Sequence, residues 1–268
     1  MEEIFKNVSA DGASALITFL YFKMDTILLS IMKGSEDVGI YNMAYKILEN
    51  ITFFPAMIVG LVLPLFSMYI FAEKKKFRRI ADKTSKVFFL IVVPLVVGVL
   101  FLAEDIIAII GGDKFLVSAN VLRILIFALA FIFYGNLFNS ILLSANLQKT
   151  LMKILTACAV FNIGLNMLLI PRFSYIGAAW VSVATEMLVV LLTVYYTIKL
   201  VDYKFSWQGW GRILLSGAGM AIFLFIFKGS GFIFSALGSS VVYGLLLWLT
   251  RAITLQEIKV LTPKLAGK

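Results

Sequence analysis

The chain has 268 residues, of which 61% are hydrophobic and 15% charged, with a formal net charge of +9 and a mean hydropathy of +0.98. An ordinary soluble domain is about half apolar and a quarter charged, so this composition predicts a protein solvated mostly by lipid. The absence of histidine and the single cysteine, Cys158, exclude an internal disulfide and argue against metal or redox chemistry. We therefore expect no cofactor, and we expect that the protein is not an enzyme.

Eight stretches are apolar and long enough to cross the membrane as helices, because the roughly 30 Å of hydrocarbon needs about 20 such residues. Backbone polar groups in lipid must be satisfied internally, so the predicted fold class is all-α, a polytopic membrane helix bundle. Pro55 and Pro64 predict a kinked or broken second helix, and Pro94 predicts a bend in the third. The predicted spans cover residues 13–32, 40–71, 86–110, 119–144, 153–170, 177–200, 212–228 and 231–250.

The loops predict the orientation of these helices. With the N-terminal tail in the cytoplasm, the inside segments carry seventeen basic residues and the outside loops carry four, which places both termini in the cytoplasm. This indicates a multi-pass protein of the cytoplasmic, or inner, membrane. The basic residues are spread over separate loops, which argues against a nucleic-acid partner. The basic loop 73–86 marks the topology, the role we favour, or also attracts anionic lipid headgroups.

Four charged residues lie inside the first two predicted spans, where each costs about 2.5 to 3.5 kcal/mol at mid-membrane. Asp25 and Lys46 are both about 10 Å from the outer ends of their helices, so we expect them to meet across the first hairpin. Glu49 shares a face with Lys46. Lys23 is about 200° around the helix from Asp25 and cannot pair with it. We predict that the four side chains line a common polar cavity.

Further along the chain, Glu186 and Asn162 are each nine residues from the turn between the fifth and sixth spans, so we expect them to lie level. Asn166 repeats the face of Asn162 one turn later, and interhelical hydrogen bonds are the simplest role for both amides. Arg123 lies near the outer end of the fourth span, where its side chain snorkels to the headgroups or joins the cavity.

Cations in a wet cavity attract anionic ligands, and carboxylates beside them offer sites for a coupling H⁺ or Na⁺, so this combination suggests transport. We predict no catalytic residue and no metal ligand. The candidate substrate-binding residues are Lys23, Asp25, Lys46, Glu49 and Arg123, and the candidate ion-coupling residues are Asp25, Glu49 and Glu186.

Two segments give the chain a family resemblance: YFKMDTILLSIMKGSEDVGIYNMAYKILENITFFP, from Tyr21, and FNIGLNMLLIPRFSYIGAAWVSVATE, from Phe161. The chain resembles the polysaccharide flippase branch of the multidrug/oligosaccharidyl-lipid/polysaccharide exporter superfamily, the O-antigen and related repeat-unit transporters. In the first motif the basic residue is Lys23, where arginine is expected more often. Lysine keeps a point charge but loses a bidentate grip on phosphate.

The resemblance implies the second six-helix lobe of a MATE-like transporter, followed by two extra helices that resemble a groove for a lipid tail. It implies that undecaprenyl-pyrophosphate-linked oligosaccharides move to the outer leaflet for polysaccharide biosynthesis, with cavity cations holding the pyrophosphate. Lys23, Asp25 and Lys46 fall in the matching motif. The expected organisation is a cytoplasmic tail at 1–12, the lobe at 13–200, a two-helix hairpin at 201–250 and a cytoplasmic tail at 251–268.

The resemblance covers no first lobe. Alternating access needs two bodies around a site between them, so one lobe alone cannot make both gates. We expect that the chain is a fragment of a longer transporter, or that it pairs with another polypeptide or a second copy of itself. Two other functions stay open. A multidrug exporter of the same superfamily is expected to have a more apolar cavity, and a membrane-embedded glycan-processing enzyme needs a sizeable loop with converging carboxylates.

Overall fold

A computed structural model describes residues 23–207 and 209–252. Within these ranges the regular structure is entirely helical, which confirms the predicted all-α membrane bundle. The predicted N-terminal tail and the start of the first span lie outside the described residues, as does most of the predicted C-terminal tail. The helices are α1 (residues 23–32), α2 (Ser35–Ile51), α3 (Phe53–Ala72), α4 (Lys74–Gly111), a 3₁₀ turn (Asp113–Phe115), α5 (Ser118–Ser144), α6 (Gln148–Val201), α7 (Trp210–Ile226) and α8 (Phe232–Leu249).

The second predicted span is divided into α2 and α3 at Thr52, as its prolines predicted. Pro55 has no backbone N–H, so the carbonyl of Ile51 loses the partner that a continuous helix would provide. The hydroxyl of Thr52 donates to the carbonyl of Glu49 at 2.6 Å, one turn before the break. Pro64 lies inside α3 without interrupting it.

The fifth and sixth predicted spans are the two limbs of α6, which meet at Ser174, a residue with non-helical φ and ψ of 48° and −133°. The limbs fold back on each other, because Asn162 donates a 3.2 Å hydrogen bond to Thr185 across 23 positions of the chain. Gly177 permits this approach, since a Cβ there would lie 2.7 Å from the carbonyl oxygen of Leu169. The prediction of two spans joined by a turn at PRFSY, residues 171–175, is therefore confirmed.

The basic segment 73–86 is helical, so the prediction of a loop there was wrong: α4 begins at Lys74. Apolar side chains recur on one face of this segment, and Phe77 is buried against the ring of Tyr203 with 5.6 Å between centroids. Lysines and arginines occupy the opposite face. The dense charge masked this amphipathic pattern, and α4 enters the membrane as one helix with a cationic first half.

Helix α5 lies at the centre of the bundle and packs against α2, α3, α4 and α6. Of its most apolar stretch, 61% is buried, against 28% or less in the other candidate spans, so the other helices form the outer surface of the bundle. Buried residues recur at every turn of α5, as at Leu125, Leu129, Phe133 and Leu137.

Helices α7 and α8 pack on each other and on α4. Helix α4 runs through Pro94, which leaves the carbonyl of Leu90 without a helical N–H partner. The hydroxyl of Tyr243 in α8 donates to that carbonyl at 3.0 Å. Close contact also depends on Gly217 in α7, because a Cβ there would lie 2.5 Å from Cγ1 of Val93.

Candidate functional site

Asp25, on α1, is a buried carboxylate that accepts hydrogen bonds from four neutral side chains and is only 6% exposed. Tyr41 of α2 and Ser182 of the second limb of α6 donate to Oδ2 at 3.1 and 2.5 Å. Asn162 and Asn166 of the first limb donate to Oδ1 at 3.0 and 2.6 Å. No basic side chain pairs with Asp25 in the described part of the chain, and its four hydrogen-bond donors there are all neutral.

Local sequence brings these donors together. The turn between α1 and α2 is short, and Thr26 donates to Asn42 at 2.9 Å, which fixes the register of the two helices. Asn162 and Asn166 are one turn apart and therefore share a face. Ser182 follows the small, fully buried Ala178 and Ala179, which let the second limb of α6 approach closely. We name the group Asp25, Tyr41, Asn162, Asn166, Ser182 and Thr185 the Asp25 cluster.

A cavity of about 30 Å³ adjoins the carboxylate. Its polar lining includes Asp25, Asn162, Thr185 and Glu186, so the predicted proximity of Glu186 to Asn162 is found. A space of this size holds one or two water molecules or a small cation. It cannot hold any part of a glycolipid.

The Asp25 cluster is rich in oxygen ligands. Oδ1 of Asn166 is buried and finds no hydrogen-bond partner among the described residues, although the amide group of the same side chain donates to Asp25 and, at 3.0 Å, to Asn162. Carboxylate, amide and hydroxyl oxygens are the ligands that hard cations prefer. No cluster of three His, Cys, Asp or Glu side chains occurs among residues 23–207 and 209–252, so these residues offer no transition-metal site. The arrangement can hold a proton or a Na⁺ ion beside Asp25.

Lys23, two residues before Asp25 on α1, forms an ion pair with Glu49 of α2. Its Nζ lies 3.0 and 3.1 Å from the two carboxylate oxygens, and 5.2 Å from the centre of the Tyr45 ring. Tyr45 stacks on Tyr41, whose hydroxyl bonds to Asp25. The exposed ion pair is therefore joined to the Asp25 cluster through two aromatic rings.

The expected pairing of Asp25 with Lys46 is not formed: Lys46 is exposed on α2, and Tyr41 occupies the place expected for it. The reason is the register of the hairpin. Helix α2 begins at Ser35, about one turn before the predicted start of the second span at residue 40, so Lys46 lies about one turn deeper than Asp25.

Arg123 joins α5 to α4 and takes no part in the Asp25 cluster. It forms an ion pair with Glu104 at 2.8 Å and donates to Asn120 at 3.1 Å and to the carbonyl of Leu100 at 3.3 Å. Three of its nitrogens are thus engaged by neighbouring residues. The structure places Arg123 apart from the other candidate site residues.

Sequence reasoning missed three members of the Asp25 cluster: Tyr41, Ser182 and Thr185. Hydroxyl groups are common in membrane helices and carry little signal by themselves. The spacing of Ser182 and Thr185, three residues apart, was the available signal, because it puts both hydroxyls on the face that turns toward Asn162.

Apolar spans packed around a buried carboxylate define a multi-pass helical membrane protein. The family described as polysaccharide biosynthesis protein matches residues 1–120. The probable low-salt glycan biosynthesis flippase Agl15 of Haloferax volcanii is 24% identical over 216 residues, which are 80% of this chain and 46% of that protein. The predicted resemblance to the polysaccharide flippase branch of the multidrug/oligosaccharidyl-lipid/polysaccharide exporter superfamily is therefore confirmed.

Two further relatives extend the comparison. The lipid II flippase MurJ, in its inward closed conformation, shares the fold with a TM-score of 0.72 over 97% of this chain and 56% of that chain, at 16% identity. The uncharacterized membrane protein MJ1068 of Methanocaldococcus jannaschii is 29% identical over 197 residues, which are 72% of this chain and 39% of that protein. The chain thus spans about half the length of the relatives it matches. Agl15 and MurJ are named as flippases, which are transporters rather than enzymes, as predicted.

Proposed function

We propose that the chain acts as one lobe of a lipid-linked glycan flippase, which moves oligosaccharides on undecaprenyl pyrophosphate across the cytoplasmic membrane. The observation that carries this proposal is the exposure of Lys46 and Glu49 on α2. At 1.5 Å per residue they lie roughly 16 and 21 Å from the start of the helix, well inside the span. Facing lipid, each would cost about 2.5 to 3.5 kcal/mol, so this face meets water or another protein.

The neighbouring surface on α3 supports a second lobe as the partner. Phe53 and Leu61 are 67% and 73% exposed, and only 11% of the most apolar stretch of α2 and α3 is buried. The exposed surface is charged on α2 and apolar on α3. Such a surface suits a lobe that packs against a second lobe through its apolar part and leaves a water-filled cavity at its charged part. The second lobe is supplied by another part of a longer protein, by another chain or by a second copy.

Within this proposal the cations and the carboxylates have separate roles. Lys23 and Lys46 bind the pyrophosphate group, and Glu49 neutralises Lys23 until the substrate arrives. Asp25 binds the coupling cation, with Glu186 as a second carboxylate on the same cavity. Arg123 is left out of the binding site, because its nitrogens are engaged by α4 and α5.

The Asp25 cluster couples cation binding to the conformation of the lobe. Its members come from α1, α2 and both limbs of α6, so a cation that neutralises Asp25 changes the electrostatic attraction among all of them. A ligand shifts a conformational equilibrium by its differential affinity for the two states. Binding and release of the cation on opposite sides of the membrane therefore drive the cycle.

Export of surface polysaccharide by the organism that makes this chain tests the proposal, since the cell supplies any partner lobe. A deletion strain is complemented with the wild-type chain, with Asp25→Ala, or with Asp105→Ala. The last is the matched control, because Asp105 is an exposed aspartate on α4. We expect the deletion and Asp25→Ala to lose surface polysaccharide and to accumulate lipid-linked oligosaccharide, at unchanged membrane levels of the chain. Normal export in the deletion strain would contradict the proposed function.

A further inference from the structure

A second cavity, of about 660 Å³, opens where α4 and α7 begin and α8 ends. We propose that it binds the phosphate group of an anionic membrane lipid. Seven cationic side chains and one carboxylate line it: Lys75, Arg78, Arg79, Lys83, Lys86, Arg212, Arg251 and Asp82.

The acidic groups nearby leave most of this positive charge uncompensated. Asp82 accepts a 2.8 Å hydrogen bond from the hydroxyl of Tyr203. Arg78 pairs with Asp202 at 3.1 Å and also donates to its carbonyl at 2.7 Å. Burial raises the pKa of the Tyr203 phenol, with the charge of Asp82 adding to the effect, so Tyr203 stays a neutral donor.

Three of the cations, Lys75, Arg79 and Lys83, form no ion pair with any residue in the described ranges. They lie within two turns of one helix face, where like charges repel each other. An anion bound among them removes this repulsion and accepts several charge-assisted hydrogen bonds. Phosphate suits the site because it offers oxygens in several directions to both lysine and arginine.

The positive end of the α7 helix dipole lies at the same cavity. Its N-cap is Gly209, which has a φ of 86° and provides no side-chain cap. The N–H groups of Trp210 and Arg212 donate to the carbonyls of Trp207 and Gly209 at 3.3 and 3.2 Å, so this helix end contributes its dipole rather than free donors. Gly209 and Trp210 both line the cavity, and a Cβ at Gly209 would lie 3.8 Å from Nζ of Lys86. Anions bind readily at such a helix end when cations stand beside it.

The surroundings of the cavity favour a lipid over a soluble phosphate. Trp210 packs against Phe205 and Trp207 at 4.8 and 4.7 Å between ring centroids, and Trp207 is 69% exposed, as expected at a membrane interface. One turn further along α7, Leu214 and Leu215 are 55% and 64% exposed. A lipid whose phosphate lies on the cations can therefore lay its acyl chains along α7, while a soluble anion uses only the polar half of the site.

This site shares no residue with the Asp25 cluster, and the inference does not rest on the proposed transport function. The positive-inside bias puts the cavity at the cytoplasmic leaflet, where basic pockets between membrane helices bind anionic headgroups. The lipid would join the starts of α4 and α7 to the end of α8. The lipid would therefore hold the hairpin of α7 and α8 against α4 at this end, as Tyr243 does further along α4.

Lipid titration of the purified full chain in dodecyl maltoside tests the inference. Phosphatidylglycerol, phosphatidylcholine and sodium pyrophosphate are titrated separately, and the midpoint of thermal unfolding is followed. The site variant combines Lys75→Gln, Arg79→Gln and Lys83→Gln. The control combines Lys149→Gln, Lys153→Gln and Lys199→Gln, which remove the same charge from the ends of α6.

We expect phosphatidylglycerol to raise the thermal midpoint of the wild-type chain and of the control, while phosphatidylcholine does not. The site variant should need about tenfold or more phosphatidylglycerol for the same shift, since each basic residue adds to headgroup binding. If the control variant needed as much additional phosphatidylglycerol as the site variant, lipid binding would depend on total surface charge, and the proposed site would be wrong. A shift from pyrophosphate that phosphatidylglycerol does not match would overturn the lipid as the ligand.

Discussion

The hydroxyl of Tyr243 in α8 lies 3.0 Å from the carbonyl oxygen of Leu90 in α4 and donates a hydrogen bond to it. In an unbroken helix that carbonyl accepts from the N–H of residue 94, which here is a proline. A side chain of the terminal hairpin thus completes the backbone hydrogen bonding of a central helix. The hairpin is therefore attached to the bundle by a specific polar contact as well as by apolar packing.

Replacing Tyr243 by Phe should lower the stability of the chain by about 1 kcal/mol, because the carbonyl of Leu90 is left without a donor in an apolar setting. The measurement is the thermal midpoint in detergent. Tyr195→Phe removes a hydroxyl from a ring that is 55% exposed and should leave the midpoint unchanged. Equal midpoints for wild type and Tyr243→Phe would mean that this hydrogen bond adds no stability.

Replacing Gly177 by Ala should destabilise the chain by about 1 to 3 kcal/mol, because the new Cβ would overlap the carbonyl oxygen of Leu169 and force the limbs of α6 apart. Gly164→Ala is the matched control on the first limb, where a Cβ meets nothing within 4 Å. It should be neutral or stabilising, since alanine is the better helix former. The measurement compares the thermal midpoints of the two variants with that of the wild-type chain. An unchanged midpoint for Gly177→Ala would mean that the limbs of α6 do not approach each other as closely as described.

Replacing Asp25 by Asn should abolish the response of the chain to its coupling cation. If that cation is Na⁺, NaCl raises the thermal midpoint of the wild-type chain relative to choline chloride, and the variant loses this difference. Asp105→Asn, on an exposed side chain, should keep the wild-type response. An unchanged response to Na⁺ in Asp25→Asn would exclude this residue as a Na⁺ site.

Exchanging Lys23 and Glu49, as Lys23→Glu with Glu49→Lys, separates a structural role of their ion pair from a role in substrate binding. The exchanged pair can still form, so membrane levels should stay normal. Export should fall to that of the deletion strain, because the cation has left the position next to the Tyr45 ring. Lys23→Arg, which keeps the charge, should retain most export. Full export by the exchanged chain would mean that the pair serves only to stabilise the helices.

Much of the fold was predictable, because lipid imposes long apolar helices and each proline or short turn has a local cause. The break near Pro55 and the turn at Ser174 follow from residues adjacent to them. The helical start of α4 was missed for a physical reason as well. Its apolar face is only a few residues wide and is recognisable only once Phe77 is seen packing on the loop that carries Tyr203.

The site was predictable in its members more than in its pairings. Asp25, Asn162 and Asn166 are unusual residues for a membrane span, and the structure brings them together. Lys46 was assigned to Asp25 because the start of α2 was placed one turn too late, and an error of one turn changes every partner across a hairpin. Neutral hydroxyls as the counterparts of a buried carboxylate follow from three-dimensional packing that no single segment encodes.

The near-contact of Gly177 with the carbonyl of Leu169 restricts how the Asp25 cluster can rearrange. Where Gly177 approaches Leu169 there is no room for a side chain between the two limbs, so we expect α6 to move as one rigid unit. We therefore expect any hinge to lie on the other side of the cluster, near Thr52, where α2 ends and α3 begins. Tyr41 would move with α2, and the same motion would remove one of the four hydrogen-bond donors of Asp25.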